Sequence, residues 1–395
     1  MAVKGHMSAE SRVPGAVYRA RKAPEKTRLI LFVQAGGRCE FDGCNRYMLE
    51  HHLTGQEGNF AQVAHICGFS DRGPWAGAEN ATEDVHDISN LMLLCPGCHK
   101  LVDDRPDEYT VEVLRRHKKT HEDRIFMLTD TRPDRHTVAV VFTAPIGGRP
   151  VSVSLCEMQA AVAPRYLGER DVVRIDLNDV SDRPTSDYWQ TAAAAIRSKV
   201  TPLYEQIFSH GPARHLSVFA LGPIPLLVYL GTCLSDKVPL TLYQRHRDTE
   251  GWRWKDSAAA AAYRSHCLRQ GAGDGVAVLV SLSGRVSPHD LPLTIDGGFS
   301  LYEITLDDAA PTPWFLDAEE SLHAFRARFQ LLVREVVAAH PGLERLHLFP
   351  AVPAPVAVAV GRDLMPKRDP AVLVYDHDRR AGGFVPTLEV NSDET

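Results

Sequence analysis

Cys39 and Cys44 stand as C-x4-C, Cys95 and Cys98 as C-x2-C, with His65 between the pairs and His99 directly after the last cysteine. Four thiolates in two pairs suit zinc, which takes tetrahedral sulfur ligation at structural sites, and the long stretch between the pairs is a loop that such an ion would close. Stray buried thiols are the alternative. Hydrolysis of a phosphodiester needs an activated water and a cation on the charge that develops at phosphate and leaving oxygen. His65 can supply the base, because imidazole titrates near neutrality. His99 and Asp103, four residues apart, share one face of a helix that starts after Cys98, and can offer a nitrogen and an oxygen to one divalent ion such as Mg²⁺. Asn90, with donor and acceptor atoms, can orient His65 or fix the loop that carries it. Singly, each has an ordinary reading: His65 as a core histidine, Asn90 as a cap, Asp103 as a surface acid. Their order around the cysteine pairs points to a metal-dependent phosphodiesterase. Cys67, Cys156, Cys233 and Cys267 have no such spacing and read as small core residues.

The elements that must position these groups are short. Residues 27–35 form an amphipathic helix or strand that runs into Gly36-Gly37, where the chain can turn into the first cysteine pair. Residues 46–68 supply a β-hairpin ending in Val63-Ala64-His65-Ile66, and 71–77 are a loop by composition. An apolar run from Ile88 to Leu94 carries Asn90 into the second pair. Residues 110–126 read as a helix with Thr110 as N-cap, Val111, Leu114 and Ile125 on one face, and a basic stripe of Arg115, Arg116, Lys118 and Lys119. Polar, Pro-containing residues 131–136 then form a linker between a domain at 1–130 and the rest.

The remainder, 137–395, contains a duplication. Phe219, Pro223, Pro225 and Gly231 recur as Phe349, Pro353, Pro355 and Gly361, each 130 residues later. Four anchors at one offset indicate two related halves, about 137–270 and 271–395. Each half runs in the same order: an apolar strand, a strand ending in acids (174–179; 302–308), a long helix (188–209; 318–340), a strand into Pro-x-Pro, a short helix ending at the repeated glycine, and a closing strand (239–243; 370–375). Alternating strands and helices imply a parallel sheet covered on both faces, so each half is expected to be a doubly wound α/β unit with any ligand at the carboxyl ends of its strands.

The bulk numbers set limits. With 395 residues, 44% hydrophobic and 24% charged, the chain has room for two or three ordinary globular domains. No apolar run is long enough to span a membrane, and the start lacks a signal peptide's apolar stretch, so a cytoplasmic setting with reduced cysteines is expected. A net charge of −6 argues against indiscriminate coating of nucleic acid, although between Arg12 and Arg46 eight basic residues stand against three acids. That cluster is a phosphate-binding surface or merely a solvated face.

Residues 37–126 resemble the HNH endonuclease family, the ββα-metal fold, through C-x4-C, Ala64-His65-Ile66, Asn90-Leu91-x-x-Leu94-Cys95-x-x-Cys98-His99 and Asp103. The resemblance places His65 on the general base, Asn90 on the middle asparagine and His99 on the final metal-binding histidine. Ala64 stands where many members carry an acidic metal ligand, which leaves His99 and Asp103 to hold the ion. Residues 137–395 resemble the SAVED domain, two fused CARF-like units, on Phe219 to Gly231, Phe349 to Gly361 and the closing strands. This layout is that of effector nucleases of the cyclic-oligonucleotide antiphage systems called CBASS. It implies a cyclic di- or trinucleotide activator made by a partner nucleotidyltransferase, ligand-driven assembly into a dimer or tetramer, and non-specific cleavage of double-stranded DNA. A cyclic nucleotide needs aromatic faces for its bases and cations for its phosphates. Tyr243, Arg245, Arg247, Trp252 and Trp254 are the candidates in the first half, with both tryptophans on one face if Gly251–Lys255 is a strand; Tyr375 and His377 are their counterparts. Trp252 and Trp254 can equally be core residues. Two other functions fit the same sequence: a restriction endonuclease that recognises modified DNA, and a zinc module that only binds DNA or protein.

Overall fold

The computed structural model describes residues 22–67, 85–130, 132–179, 186–209, 215–234, 236–255 and 259–392, without the side chains of 133, 186 and 205–209. The loop expected at 71–77, and Arg12, Arg19 and Arg21 of the basic cluster, lie outside these residues. Chain contacts separate two units, Met1–Asp130 and Thr131–Thr395.

In the first unit, α1 (Glu25–Gln34) settles the choice between helix and strand. It ends at Gly36 and Gly37, with φ of +61° and +65°, a left-handed turn that glycine adopts without strain. Of the expected hairpin within 46–68 only one isolated bridge, Glu50 with Glu57, remains ahead of the final strand, and Tyr47 bridges instead to Arg38. The strand that does form, β1 (Gln62–His65), pairs antiparallel with β2 (Leu91–Leu94) and sets His65 opposite Leu91. The physical reason is partner choice. All four residues of β2 are buried: Leu91 and Leu93 pack with Leu31 and Ala35 from α1 and the turn after it, while Met92 and Leu94 join Cys39, Met48 and Ile66. No segment between 46 and 60 offers such a two-sided surface. Next come α2 (Pro96–Asp104) and α3 (Val111–Thr129), the latter capped by Thr110 Oγ1, which accepts from Val113 N. Lys118 departs from the expected basic stripe. It is buried, with its ammonium 2.5 Å from Glu122 and 3.8 Å from the fully buried Glu40, whose carboxyl accepts from Leu93 N.

The second unit begins with β3 (Val138–Thr143), α4 (Leu155–Val162), β4 (Val172–Asp176), α5 (Ser186–Ser209), β5 (Leu216–Leu221), α6 (Ile224–Cys233) and β6 (Leu240–Tyr243). It continues with β7 (Tyr263–Arg269), β8 (Gly275–Ser281), β9 (Phe299–Leu306), α7 (Glu319–Ala339), β10 (Arg345–Ala351), α8 (Ala354–Asp363), β11 (Ala371–Asp378) and β12 (Gly383–Val390). The sheets run β4-β3-β5-β6 and β12-β11-β10-β8-β9-β7. The parallel cores β4-β3-β5-β6 and β9-β8-β10-β11 have the same order, so the repeat in the sequence is a repeat in topology. β7 and β12 are antiparallel additions at the edges.

The largest apolar cluster draws on both sheets and on α5 to α8, so it joins the halves. At its centre α6 and α8 cross at the repeated glycines. A Cβ on Gly231 would lie 2.1 Å from the carbonyl oxygen of Val358, and one on Gly361 would lie 1.8 Å from that of Val228. The contact is reciprocal, as expected where two copies of one motif meet face to face. On the far side of the first sheet α4 covers Ala139 and Val141; on that of the second, Val286 and Ile295 of an irregular segment cover Ala277, Leu279 and Phe349.

Candidate functional site

The chain reaches the first cysteine pair directly from the Gly36-Gly37 turn, and the second pair sits where β2 becomes α2. Cys95 is the N-cap of α2 with Pro96 at its first position, so the helix start presents Cys95 and Cys98 together. The sulfurs of Cys39, Cys44, Cys95 and Cys98 all lie within 4.8 Å of one another, a group that could hold a metal ion. Tetrahedral zinc with Zn–S bonds of about 2.3 Å places its sulfurs about 3.8 Å apart; Cys44 Sγ and Cys95 Sγ are 4.0 Å apart. Backbone N–H groups already point at two of them, Cys95 N at Cys39 Sγ (3.3 Å) and Cys98 N at Cys95 Sγ (3.4 Å). Burial pushes the Cys39 thiol up to about 12, so its thiolate form requires a cation beside it. The donor set, spacing and burial fit zinc. Of the remaining cysteines, Cys67 is buried and Cys233 partly so, whereas Cys156 and Cys267 are exposed and are not core residues.

The second cluster lies on the same ββα unit. His65 ends β1, and burial, then the neighbouring His86 and His99, hold its imidazole below the usual histidine range. His99 Nδ1 lies 3.0 Å from Asp103 Oδ2, one helical turn on. Two ligands of a Mg²⁺-sized ion, each about 2.1 Å from it, sit about 3 Å apart when adjacent, so the pair fits one edge of such a site. Asn90 does not reach His65. Its side chain is buried and spent on backbone: Oδ1 accepts from Cys67 N (2.7 Å), and Nδ2 donates to Val85 O (3.0 Å) and Cys67 O (3.4 Å). It therefore clamps the two ends of the connection between β1 and β2, the second of the two roles open to it from sequence. His86 is the group that sequence reasoning missed. Its Nδ1 lies 3.4 Å from His65 Nε2, although nothing in its spacing relates it to the cysteines or to His65.

In the second unit the candidate ligand residues separate into two sets. Tyr243 and Tyr375 are buried and stack on Phe219 and Phe349, with ring centroids 4.6 and 4.2 Å apart, which repeats one packing motif in both halves. Tyr375 also places its hydroxyl 2.9 Å from His347 Nδ1. Gly251–Lys255 is not a strand. Trp252, 1% exposed, packs edge-on against Phe219, and Trp254 donates its indole N–H to Leu242 O, so both tryptophans serve the core. Lys255 instead pairs with Asp248 and Asp317, at 2.8 and 2.9 Å. His377 is exposed at the end of β11 and meets the edge of Phe384.

Arg245 lies elsewhere, on a cavity of about 590 Å³ lined by Gly222 and Ile224, by Val352 to Ala354, and by Gln244 to Arg247. These are the first turns of α6 and α8, so two helix N-termini open on one space. Neither Pro223 nor Pro353 caps its helix with a side chain. Arg245 is held by Glu157 at 3.0 Å. His246 is buried, with Nδ1 3.3 Å from Asp317 and Nε2 without a hydrogen-bond partner among the described residues. Arg247 reaches over the ring of Trp314, which is 55% exposed next to Pro313 of the cavity wall. An unburied tryptophan beside a cation at a cavity mouth was not visible in the sequence, because spacing does not report exposure.

Among the described residues no helix is long and apolar enough to cross a membrane. Residues 39–105 match the family model described as HNH endonuclease, and residues 197–390 that of the SAVED domain, a SMODS-associated sensor domain fused to various effectors. No curated protein matches the chain. Similar solved structures include the Cap4 SAVED/CARF-domain receptor of Acinetobacter baumannii with the cyclic trinucleotide 3'3'3'-cAAA, at 16% identity and TM-score 0.45 over 74% of this chain and 62% of that one. The Cap4 receptor of Moraxella osloensis aligns at 13% identity and TM-score 0.41, over 74% and 60%. The chain thus spans less than two thirds of the length of these receptors. It joins an HNH endonuclease domain to a SAVED sensor domain.

Proposed function

We propose that the chain is a DNA endonuclease switched on by a cyclic oligonucleotide, acting in a CBASS-type antiphage system. Residues 1–130 form the nuclease, 131–136 the linker, and 137–395 the sensor, in halves of about 137–270 and 271–395. The observation that carries the sensing role is the cavity at the first turns of α6 and α8. Uncapped helix N-termini favour anions, Arg245 and Arg247 add positive charge, and the volume lies within the usual range for a small-molecule site. A cyclic di- or trinucleotide, with anionic linkages and flat bases, has the matching chemistry. Arg245 and Arg247 take its phosphates and Trp314 offers a face to a base, while Tyr243, Trp252, Trp254 and Tyr375 support the walls from the core.

In the nuclease, His65 takes a proton from water, Asn90 keeps the strand and loop around it in place, and His99 and Asp103 hold a divalent cation such as Mg²⁺. That cation would supply charge stabilisation at the phosphate and leaving oxygen. Zinc on Cys39, Cys44, Cys95 and Cys98 is structural. The substrate is double-stranded DNA, and the activator comes from a partner nucleotidyltransferase. Cutting both strands calls for two sites, so activation proceeds through a dimer or tetramer.

Calorimetric titration of a panel of cyclic di- and trinucleotides tests the sensing role. One member binds, and Arg245→Ala weakens it about tenfold or more, the loss of one charge-assisted hydrogen bond. If no member binds, and cleavage depends instead on modified bases in the DNA, the chain is a restriction enzyme and the reading fails.

A further inference from the structure

Among the described residues, His86 is a chemically active side chain beside the cluster that the nuclease motif does not account for. It is held from both sides. The carbonyl of Val85, before it, accepts from Asn90 Nδ2 at 3.0 Å. Asp87, after it, caps the short turn at 88–90 by accepting from Ser89 N (2.8 Å) and Ser89 Oγ (2.6 Å), and its carbonyl accepts from Asn90 N (2.9 Å). His65 is tied to the same residue, since Ile66 N donates to Asn90 O at 2.8 Å and Cys67 N to Asn90 Oδ1. One asparagine thus fixes the backbone beside both histidines. The two rings face each other with centroids 5.4 Å apart and planes at 51°.

A histidine that acts as a base must carry its proton on the nitrogen facing away from water, and the hydrogen bond made by that nitrogen sets the tautomer. We propose that His86 is a positioning residue whose Nδ1 accepts the Nε2–H of His65, fixing the tautomer whose lone pair lies on Nδ1, the atom that takes the proton of the attacking water. The water's proton then goes to Nδ1 and its oxygen lone pair forms the new P–O bond. The electron pair of the breaking P–O bond leaves with the deoxyribose oxygen, which takes a proton from solvent. The contact of 3.4 Å is long for a settled hydrogen bond, as such bonds often are before substrate arrives. Asn90 serves this arrangement indirectly, by holding Val85 and Cys67.

This inference rests on the nuclease reading, and its test separates the two. In full-length zinc-loaded protein labelled with ¹⁵N-histidine, the His65 signals report which nitrogen carries the proton. The parent shows Nε2–H. His86→Ala shifts the population toward Nδ1–H and lowers kcat about tenfold to a hundredfold with KM little changed. His86→Asn, whose Oδ1 can accept in place of Nδ1, restores the Nε2–H tautomer and most of the rate. Nδ1–H in the parent, an unchanged His65 tautomer in a folded His86→Ala, or failure of His86→Asn to recover either property overturns the proposal. If the parent shows Nε2–H and His86→Ala the expected shift, yet the parent cleaves nothing under any condition, the nuclease reading fails and the contact stands.

Discussion

Replacing Gly361 by alanine puts a methyl group 1.8 Å from the carbonyl oxygen of Val228, 2.8 Å from its carbonyl carbon and 3.1 Å from Thr232 N. All three are backbone atoms of α6, so no side chain can rotate out of the way. To regain ordinary contact the helices must part by roughly 1.5 Å at their crossing. Both are buried around this point, from Leu226 to Gly231 and from Val356 to Gly361, so separation loosens packing against both sheets at once. Overpacking of this kind costs about 1–3 kcal/mol and more where backbone must move. For a unit of this size that is a fall in Tm of about 2–12 °C. Gly284→Ala is the control: its Cβ meets nothing within 4 Å, so a change below about 0.5 kcal/mol is expected. Gly231→Ala should resemble Gly361→Ala. The double variant should cost less than the two together, because both relieve the same crossing. The assay is thermal unfolding followed by far-UV circular dichroism in the full chain. A Gly361→Ala protein that melts within 1 °C of the parent would refute the reciprocal crossing.

Three further outcomes follow from other parts of the molecule. Cys95→Ser removes one of four sulfurs and the N-cap of α2, and structural zinc sites supply about 10 kcal/mol or more of folding free energy. The first unit should therefore lose its zinc and its protection from proteolysis, and retained zinc with an unchanged digest would contradict the assignment. Burial holds the Asp376 carboxyl up at about 6, so the folded state binds its proton more tightly than the unfolded chain does. Stability on its account is present below about pH 4 and is lost as pH rises through 6, by an amount on the order of 3 kcal/mol. Asp376→Asn should match the parent near pH 4 and exceed it at pH 8 in urea unfolding; equal stability at both values would remove burial as the cause. Trp314→Ala should weaken ligand binding without altering Tm, because the ring is mostly in solvent.

The sequence made the repeat legible through its glycines and prolines, since only fixed spacing is needed to see it, but the reason for those glycines required the crossing helices. The edge strands β7 and β12 escaped notice because they owe their pairing to β9 and β11. Lys118 read as one of a basic stripe because helical periodicity says nothing about Glu40 on another segment. Trp252 shows the same limit: an indole beside cations fits a ligand platform as well as a core, and only the contact with Phe219 decides. In the first unit the clustering of the four cysteines and the pairing of His99 with Asp103 were legible from type and order. His86 was not, since its place depends on how Asn90 folds the connection back onto β1.

Plasmid cleavage by the full chain in Mg²⁺, with and without the cyclic oligonucleotide that binds it, bears most directly on gated catalysis. The parent should cut double-stranded DNA only when the ligand is present, and His65→Ala, with unchanged zinc content and ligand affinity, should cut under neither condition. Cleavage at the same rate without ligand, or retained by His65→Ala, would contradict a ligand-gated nuclease that uses His65 as its base.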